Sequence, residues 1–521
     1  MYLEYTFKDL FASLSLKESL GAAVQTTPLE SARLVGVDEH LVDSLGARSA
    51  LEYLTTNTPL EGFASVYAGH QFGGYTPRLG DGRAALIGEL KTNKGSNAQL
   101  IDLVLKGSGP TPYSRMGDGK AVLRSTVREY LAGIALNGLK IPTTLALGFS
   151  VGDAKVQREC LEPEALLLRT SRGHMRFGHF EYLFHNQKTE ALQDLILYCA
   201  NRFYEAETPF LSKDLNAATT LLFTNACKQT ATLIAQWQTY GFCHGVMNTD
   251  NMSIIGETLD YGPFAFMEAF DSQFICNHSD TYGRYAFDQQ PSVALWNLHA
   301  LASCFSEILK PEEIDEGFYC YKNVFESTYL SLMGKRLHLA DSDKGKDKDK
   351  SKTLAYVNDF LRILTRHKLD YNNSFLMVEK LGTGTARACD DDLRAYAEKI
   401  ISAYDPSIPK ASIAAAAADI CEWLTHTVID SKSASDSAEG QVNPKVLLRN
   451  AFAEEAISEI TDWAKDSLTC SSAQQEHPPK LKYFNALSDA LHAPFDDSLQ
   501  SSEFAKVPAE PERYPSLSCS S

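Results

Sequence analysis

A change of texture near residue 187 constrains this chain most. Between Tyr67 and Phe180 glycine is frequent and apolar runs have strand length. Ala84 to Glu89 and Leu100 to Leu105 read as two strands, with the polar stretch Lys91 to Asn97 as the hairpin loop between them. Leu166 to Leu168 gives another buried strand. Val122 to Leu139 carries apolar residues at 123, 127, 130, 131 and 134, the spacing of a helix. After about residue 187 helical patterns dominate, as in Ala218 to Tyr240, broken by a strand-rich island at 252–271. The fold class expected is α+β: a strand-rich N-lobe over 61–185 and a larger helical C-lobe over 186–500. Extensions flank them, helical and mixed over 1–60 and a Pro- and Ser-rich tail over 501–521. Asp341 to Lys352 is a low-complexity charged loop, and Ala414 to Ala418 lies inside a helix.

Composition narrows the function. The 521 residues carry a net charge of -17, which argues against broad nucleic-acid binding and against anionic membranes. No apolar run is long enough to span a bilayer. The start of the chain has neither a secretory nor a transit pattern. Eleven cysteines without a CxxC pair fit free thiols in a reducing cytoplasm and make a structural zinc site unexpected.

Four polar motifs fall in the strand-rich part. In Leu79-Gly80-Asp81-Gly82-Arg83, two glycines around an acid let backbone N–H groups approach a phosphate, and Arg83 adds a charged donor; a plain hairpin turn has the same pattern. Lys106 closes an apolar strand, on the face shared by Asp102 and Val104, either at a solvent-facing end or as a phosphate ligand. Glu129, on a helical face with the small Thr126 and Gly133, could reach that ammonium or face solvent. Gly117-Asp118-Gly119-Lys120 is a second glycine-bracketed acid, a turn or a nucleotide-touching loop. Arg169 and Arg176 follow in a basic stretch suited to an anion or simply solvated.

The fifth motif is the most specific. His244-Gly245-Val246-Met247-Asn248-Thr249-Asp250-Asn251 precedes a short apolar strand, Met252 to Gly256, and then Asp260-Tyr261-Gly262. Kinase chemistry needs this order: an Asp to accept the acceptor's proton, an Asn and a later Asp to hold metal. Asn251 and Asp260 are hard oxygen donors suited to Mg2+ or Mn2+. His244 reads as a packing residue. The composite expectation is an ATP-binding cleft between the lobes of a protein-kinase-like fold.

Several long stretches resemble selenoprotein O, a family of pseudokinase-fold enzymes. They are YAGHQFGGYTPRLGDGRA, LKGSGPTPYSRMGDGKAVLRSTVREYL, LLRTSRGHMRFGHFEY, YGFCHGVMNTDNMSIIGETLDYGPFAFMEAF and CNHSDTYGRYAFDQQP, with NPKVLLRNAFAEEAI and the terminal SCSS beyond. The resemblance implies transfer of AMP from ATP, bound in an inverted orientation, to hydroxyl side chains of proteins. It implies phosphate contacts from Lys106, paired with Glu129, and from Arg169 and Arg176. Gly80, Gly82, Arg83, Asp118 and Gly119 would line the nucleotide site. Asp250 would be the general base, with Asn251 and Asp260 binding Mg2+ or Mn2+. An ordinary kinase has its Asp two residues after the His; here Val246 stands there and the acid comes at Asp250. Many members carry selenocysteine third from the end, where this chain has Cys519; a redox link between Cys519 and another cysteine, such as Cys276, is a hypothesis, against a harmless tail cysteine. Three functions follow: a protein adenylyltransferase acting as a cytoplasmic monomer, a phosphotransferase, or an inactive nucleotide-binding scaffold.

Overall fold

The structure, a computed structural model, describes residues 18–92, 99–158, 160–204, 214–339, 347–383, 390–404, 408–427, 441–469 and 478–508. Apolar, β-branched runs separated by turns form strands β1 (Gly21–Gln25), β2 (Arg33–Val37), β3 (Glu61–Gln71), β4 (Gly74–Gly80), β5 (Ala84–Lys91), β6 (Leu100–Lys106), β7 (Ala121–Val122), β8 (Leu145–Gln157) and β9 (Leu161–Ser171). Among the described residues they make one nine-stranded sheet in the order β1-β3-β5-β6-β9-β8-β2, with β4 on β3 and β7 on β9. The pairs are antiparallel.

Alternation along the strands gives the sheet two faces. Leu103 and Leu105 of β6 and Leu166 and Leu168 of β9 point to one side, where they pack on Val42, Ala50, Leu51 and Leu54. Those partners come from helix α1 (Glu39–Leu45) and the short 3-10 turn Arg48–Leu54. Residues 18–60, read from the sequence as helical and mixed, therefore supply two strands and cover the outer face.

The inner face receives α2 (Leu123–Gly138), whose Val127, Tyr130, Leu131 and Ile134 meet Phe149, Val151 and Leu167 of the sheet. The same core continues without a break into the helices that follow, α3 (Phe177–His185), α4 (Thr189–Tyr204), α5 (Leu215–Tyr240), α6 (Gln290–Ser303) and α7 (Pro311–Arg336). A second core holds α8 (Asp347–His367), α9 (Tyr371–Thr383), α10 (Asp390–Tyr404) and α11 (Lys410–His426). Near the end of the chain, α12 (Asn450–Thr469) and α13 (Lys482–His492) return to the sheet side, where Phe484 packs on Tyr130 and Phe149. The result is a mixed α+β architecture: an antiparallel sheet first, a largely helical region after it. No helix among the described residues is long and apolar enough to cross a membrane.

Two local expectations change. Met252–Gly256 is not a strand. Its backbone bonds the stretch before α3 instead: Ile254 N–H donates to the Met175 carbonyl at 3.0 Å and Phe177 N–H to the Met252 carbonyl at 2.9 Å. With its donors and acceptors used on that crossing, it makes an isolated bridge, Arg176 to Ser253, and no ladder. The only strands of the 242–271 stretch are the two-residue β10 (Phe242–Cys243) and β11 (Ala265–Phe266), which pair with each other. The charged segment Asp341–Lys352 is helical from Asp347 on, as the start of α8; 341–346 lie outside the described residues, as does most of the hairpin loop after Lys91.

Candidate active site

The site grows from sheet register. Val104 of β6 stands opposite Arg169 of β9, so Lys106, two residues on from Val104, shares a face with Arg169. Helix α2 crosses that face and sets Glu129 between them. Lys106 Nζ donates to Glu129 Oε2, while Arg169 Nε and Nη2 donate to Glu129 Oε1 at 2.8 and 2.5 Å. Arg169 Nη2 also reaches Asp260 Oδ1 at 3.0 Å. Arg176 Nη1 donates to the other Asp260 oxygen and, at 2.8 Å, to the backbone carbonyl of Asp250. Three cations and two carboxylates thus form one continuous chain ending on the Asp250 backbone.

Burial makes this chain a matter of electrostatics. A buried ion is costly unless paired, and here every member is paired. Burial pulls the Lys106 ammonium down to about 8, against the opposing pull of Glu129. Burial alone would raise Asp260, but Arg176 and Arg169 outweigh it and hold the carboxyl well below its ordinary value. Glu129 is likewise lowered, with Arg169 and Lys106 overcoming burial.

The chain borders a cavity of about 480 Å3, within the usual size of a small-molecule site. Gly80, Gly82, Arg83, Lys106, Asp118, Gly119, Arg169, Arg176, Asn251 and Asp260 all line it. The wall carries seven basic side chains (Arg83, Lys106, Arg115, Lys120, Arg158, Arg169, Arg176) against three acids (Asp81, Asp118, Asp260). In a protein of net charge -17, that local excess suits an anionic ligand. Gly80 is needed for close approach: a Cβ there would sit 2.6 Å from both the Ser65 carbonyl oxygen and the Tyr113 ring. Asp81 pins the turn to β3, its Oδ2 accepting from Ser65 N–H at 2.9 Å and Ser65 Oγ–H at 2.6 Å. Asp118 is exposed, bonded to Arg158 at 2.8 Å and to the Lys120 N–H at 2.9 Å.

Asp250 lies beside the cavity, off its wall, and is buried. Gln71 Nε2 donates to its Oδ2 at 3.3 Å. Its Oδ1 has no hydrogen-bond partner among the described residues. Burial pushes this carboxyl up to about 7, with Arg176 pulling the other way. Asn251 Nδ2 donates to the Val246 carbonyl at 3.0 Å, which leaves Oδ1 as the amide's oxygen donor for a hard cation. Asp260 sits at φ +59, a left-handed backbone that Asp tolerates better than most residues. His244 stacks on Trp237 and meets the Leu259 carbonyl at 3.0 Å, a packing role.

Of the remaining residues singled out from the sequence, Cys276 lies apart from the cavity wall. Its buried thiol contacts the Cys243 carbonyl at 3.4 Å, and burial pushes it well above its ordinary value. Cys519 lies outside the described residues. Sequence reasoning missed Gln71 and Gly69, which both meet Asp250, and Tyr67, whose ring lies 4.8 Å from the Arg176 guanidinium. These three alternate along β3, so strand parity within YAGHQ was the available signal.

A mixed α+β fold with a cation-walled cavity and a buried aspartate beside it has the form of an enzyme acting on an anionic small molecule. Comparison with known proteins makes the class specific. A family model described as "Protein adenylyltransferase SelO" matches residues 9–478. A Shewanella sp. (strain MR-7) relative named "Protein nucleotidyltransferase YdiU" is 38% identical over 478 residues, covering 90% of each chain. One of the same name from Pseudoalteromonas atlantica is 37% identical over 522 residues, covering 96% of this chain and 97% of the relative. The chain belongs to the SelO family of protein adenylyltransferase enzymes, as its motifs indicate.

Proposed function

We propose that the protein transfers AMP from ATP to Ser, Thr or Tyr hydroxyls of other proteins and releases pyrophosphate. The sheet and the helical region then act as the two lobes of a protein-kinase-like fold, with ATP between them. The observation that carries this reading is the buried charge chain from Lys106 to Arg176, which borders the cation-walled cavity and ends on the Asp250 backbone.

Which group moves depends on which phosphorus lies in line with the acceptor oxygen. With the outer phosphates held on the Lys106, Arg83 and Arg176 side of the cavity, the α-phosphorus faces the acceptor. The acceptor oxygen attacks it, a new O–P bond forms, the α–β bridging bond breaks, and pyrophosphate leaves with the bond's electrons. Asp250, whose carboxyl burial raises to about 7, takes the hydroxyl proton. Asn251 and Asp260 offer hard oxygens on the same wall and would hold Mg2+ or Mn2+. When bound, that ion would offset charge on the phosphates.

The test uses ATP labelled at the α or the γ phosphate, with intact-mass analysis of the enzyme and of added protein. Label from the α position and a gain of one AMP are expected. Label from the γ position alone would make the protein a phosphotransferase.

A further inference from the structure

We propose that the groove between the tip of the β3–β4 hairpin and the start of α6 docks the acceptor polypeptide, taking an apolar side chain and a carboxylate that flank its hydroxyl. This rests on the AMP-transfer reading above.

Exposed large apolar side chains are normally scattered, and their clustering marks a surface that meets a partner. Ten stand out among the described residues, and five of them surround this one place: Phe72, Tyr75, Ile275, Tyr282 and Trp296. Tyr282 is 98% exposed. Ile275, Tyr282 and Trp296 line a groove of about 680 Å3. Tyr75 joins it through His70, whose ring lies 5.1 Å from both Tyr75 and Trp296. Aromatic walls of this kind hold an aliphatic or aromatic side chain at low entropic cost.

The groove's charge selects the rest of the partner. Arg284 is the single charged residue on its described lining, in a protein of net charge -17. Its guanidinium lies 4.9 Å from the Trp296 ring centre. A planar cation stacked on an aromatic matches a carboxylate.

The groove also shares its frame with the proposed base. Phe72 N–H donates to Tyr285 Oη at 2.9 Å and to Asn248 Oδ1 at 3.3 Å, tying the hairpin tip to the residue after Arg284 and to the Asp250 loop. The residue before Phe72 is Gln71, which holds Asp250. The groove is therefore built on the same hairpin and loop that hold the aspartate.

Two short fluorescein-labelled peptides test this, identical around a central Tyr except that one has Leu and Asp flanks and the other Gly and Lys. Anisotropy titration with the full chain decides the docking. The Leu/Asp peptide is expected to bind about tenfold tighter, Arg284→Glu to reverse the preference, and Tyr282→Ala to weaken it several-fold. Tyr282 is so exposed that its removal leaves the fold intact. Equal affinities, or affinities unchanged in both variants, would overturn the proposal. So would a dimer of the full chain that Tyr282→Ala disperses, since a second copy would then own the groove. Labelling the same peptides from α-labelled ATP is a separate readout: a peptide that binds yet gains no AMP counts against the transfer reading and leaves the docking standing.

Discussion

Asp250 Oδ1 occupies the space that a side chain on residue 69 would need: a Cβ on Gly69 would stand 2.5 Å from it. Strand β3 therefore sets the position of the carboxylate from two sides, by the missing side chain at Gly69 and by the Gln71 amide on the other oxygen.

Gly69→Ala should push the carboxylate aside with little effect on the cavity. A displacement near 1 Å costs about 100-fold in rate. Transfer should fall by that order while ATP affinity stays unchanged, checked by labelled-AMP incorporation beside a nucleotide titration.

Asp250→Asn keeps the shape and removes the proton acceptor. Transfer should fall by about 10²–10⁴-fold, with ATP affinity within about twofold of the parent. Full activity in this variant would exclude Asp250 as the base.

Glu129→Gln leaves Lys106 and Arg169 without the carboxylate they share. Breaking a buried pair from one side costs about 3–5 kcal/mol. Thermal unfolding should shift down markedly, and ATP should restore less of the loss than it adds to the parent. An unchanged melting curve would mean that the pair adds nothing to stability.

Stability should fall in acid through two groups. Burial would raise Glu379, but His338, Asn443 and Lys445 hold its carboxyl down to about 2, from an ordinary value of 4.5. Its contribution is full above about pH 4.5 and is lost as pH falls toward 2. Burial, aided by Arg176, pulls His179 from 6.5 to about 3, so the unfolded chain binds a proton first and stability drops as pH falls from 6.5 toward 3. Denaturant titrations over this range should show both losses. Glu379→Gln should flatten only the part below about pH 4.5.

Local pattern made the Lys106–Glu129 pair legible, since strand parity and helix spacing each fixed one partner's face. The glycine-bracketed turns and the Asp250–Asp260 order were legible for the same reason. What escaped was set by contacts distant in sequence. Met252–Gly256 has a strand's composition, yet its backbone is used by the 175–177 crossing. Arg128 should face solvent by its charge, but it is buried, donating to the Phe264 carbonyl at 2.8 Å with its guanidinium 4.6 Å from that ring. Gln71 acquires its role only once β3 meets a loop almost two hundred residues later. The family's long motifs carried the activity class, which no single spacing did.

The two ends of the sheet path are β1 and β2, paired with β3 and β8. During synthesis each of these strands leaves the ribosome before its partner: Gly21 waits for Ser65, and Arg33 waits for Val151. β2 is thus seated only once β8 has been made, and the sheet stays open at that rim until then. Nascent chains halted before residue 151 would present unpaired strand edges to chaperones, and a chain lacking β1 and β2 would leave the edges of β3 and β8 bare in the finished protein.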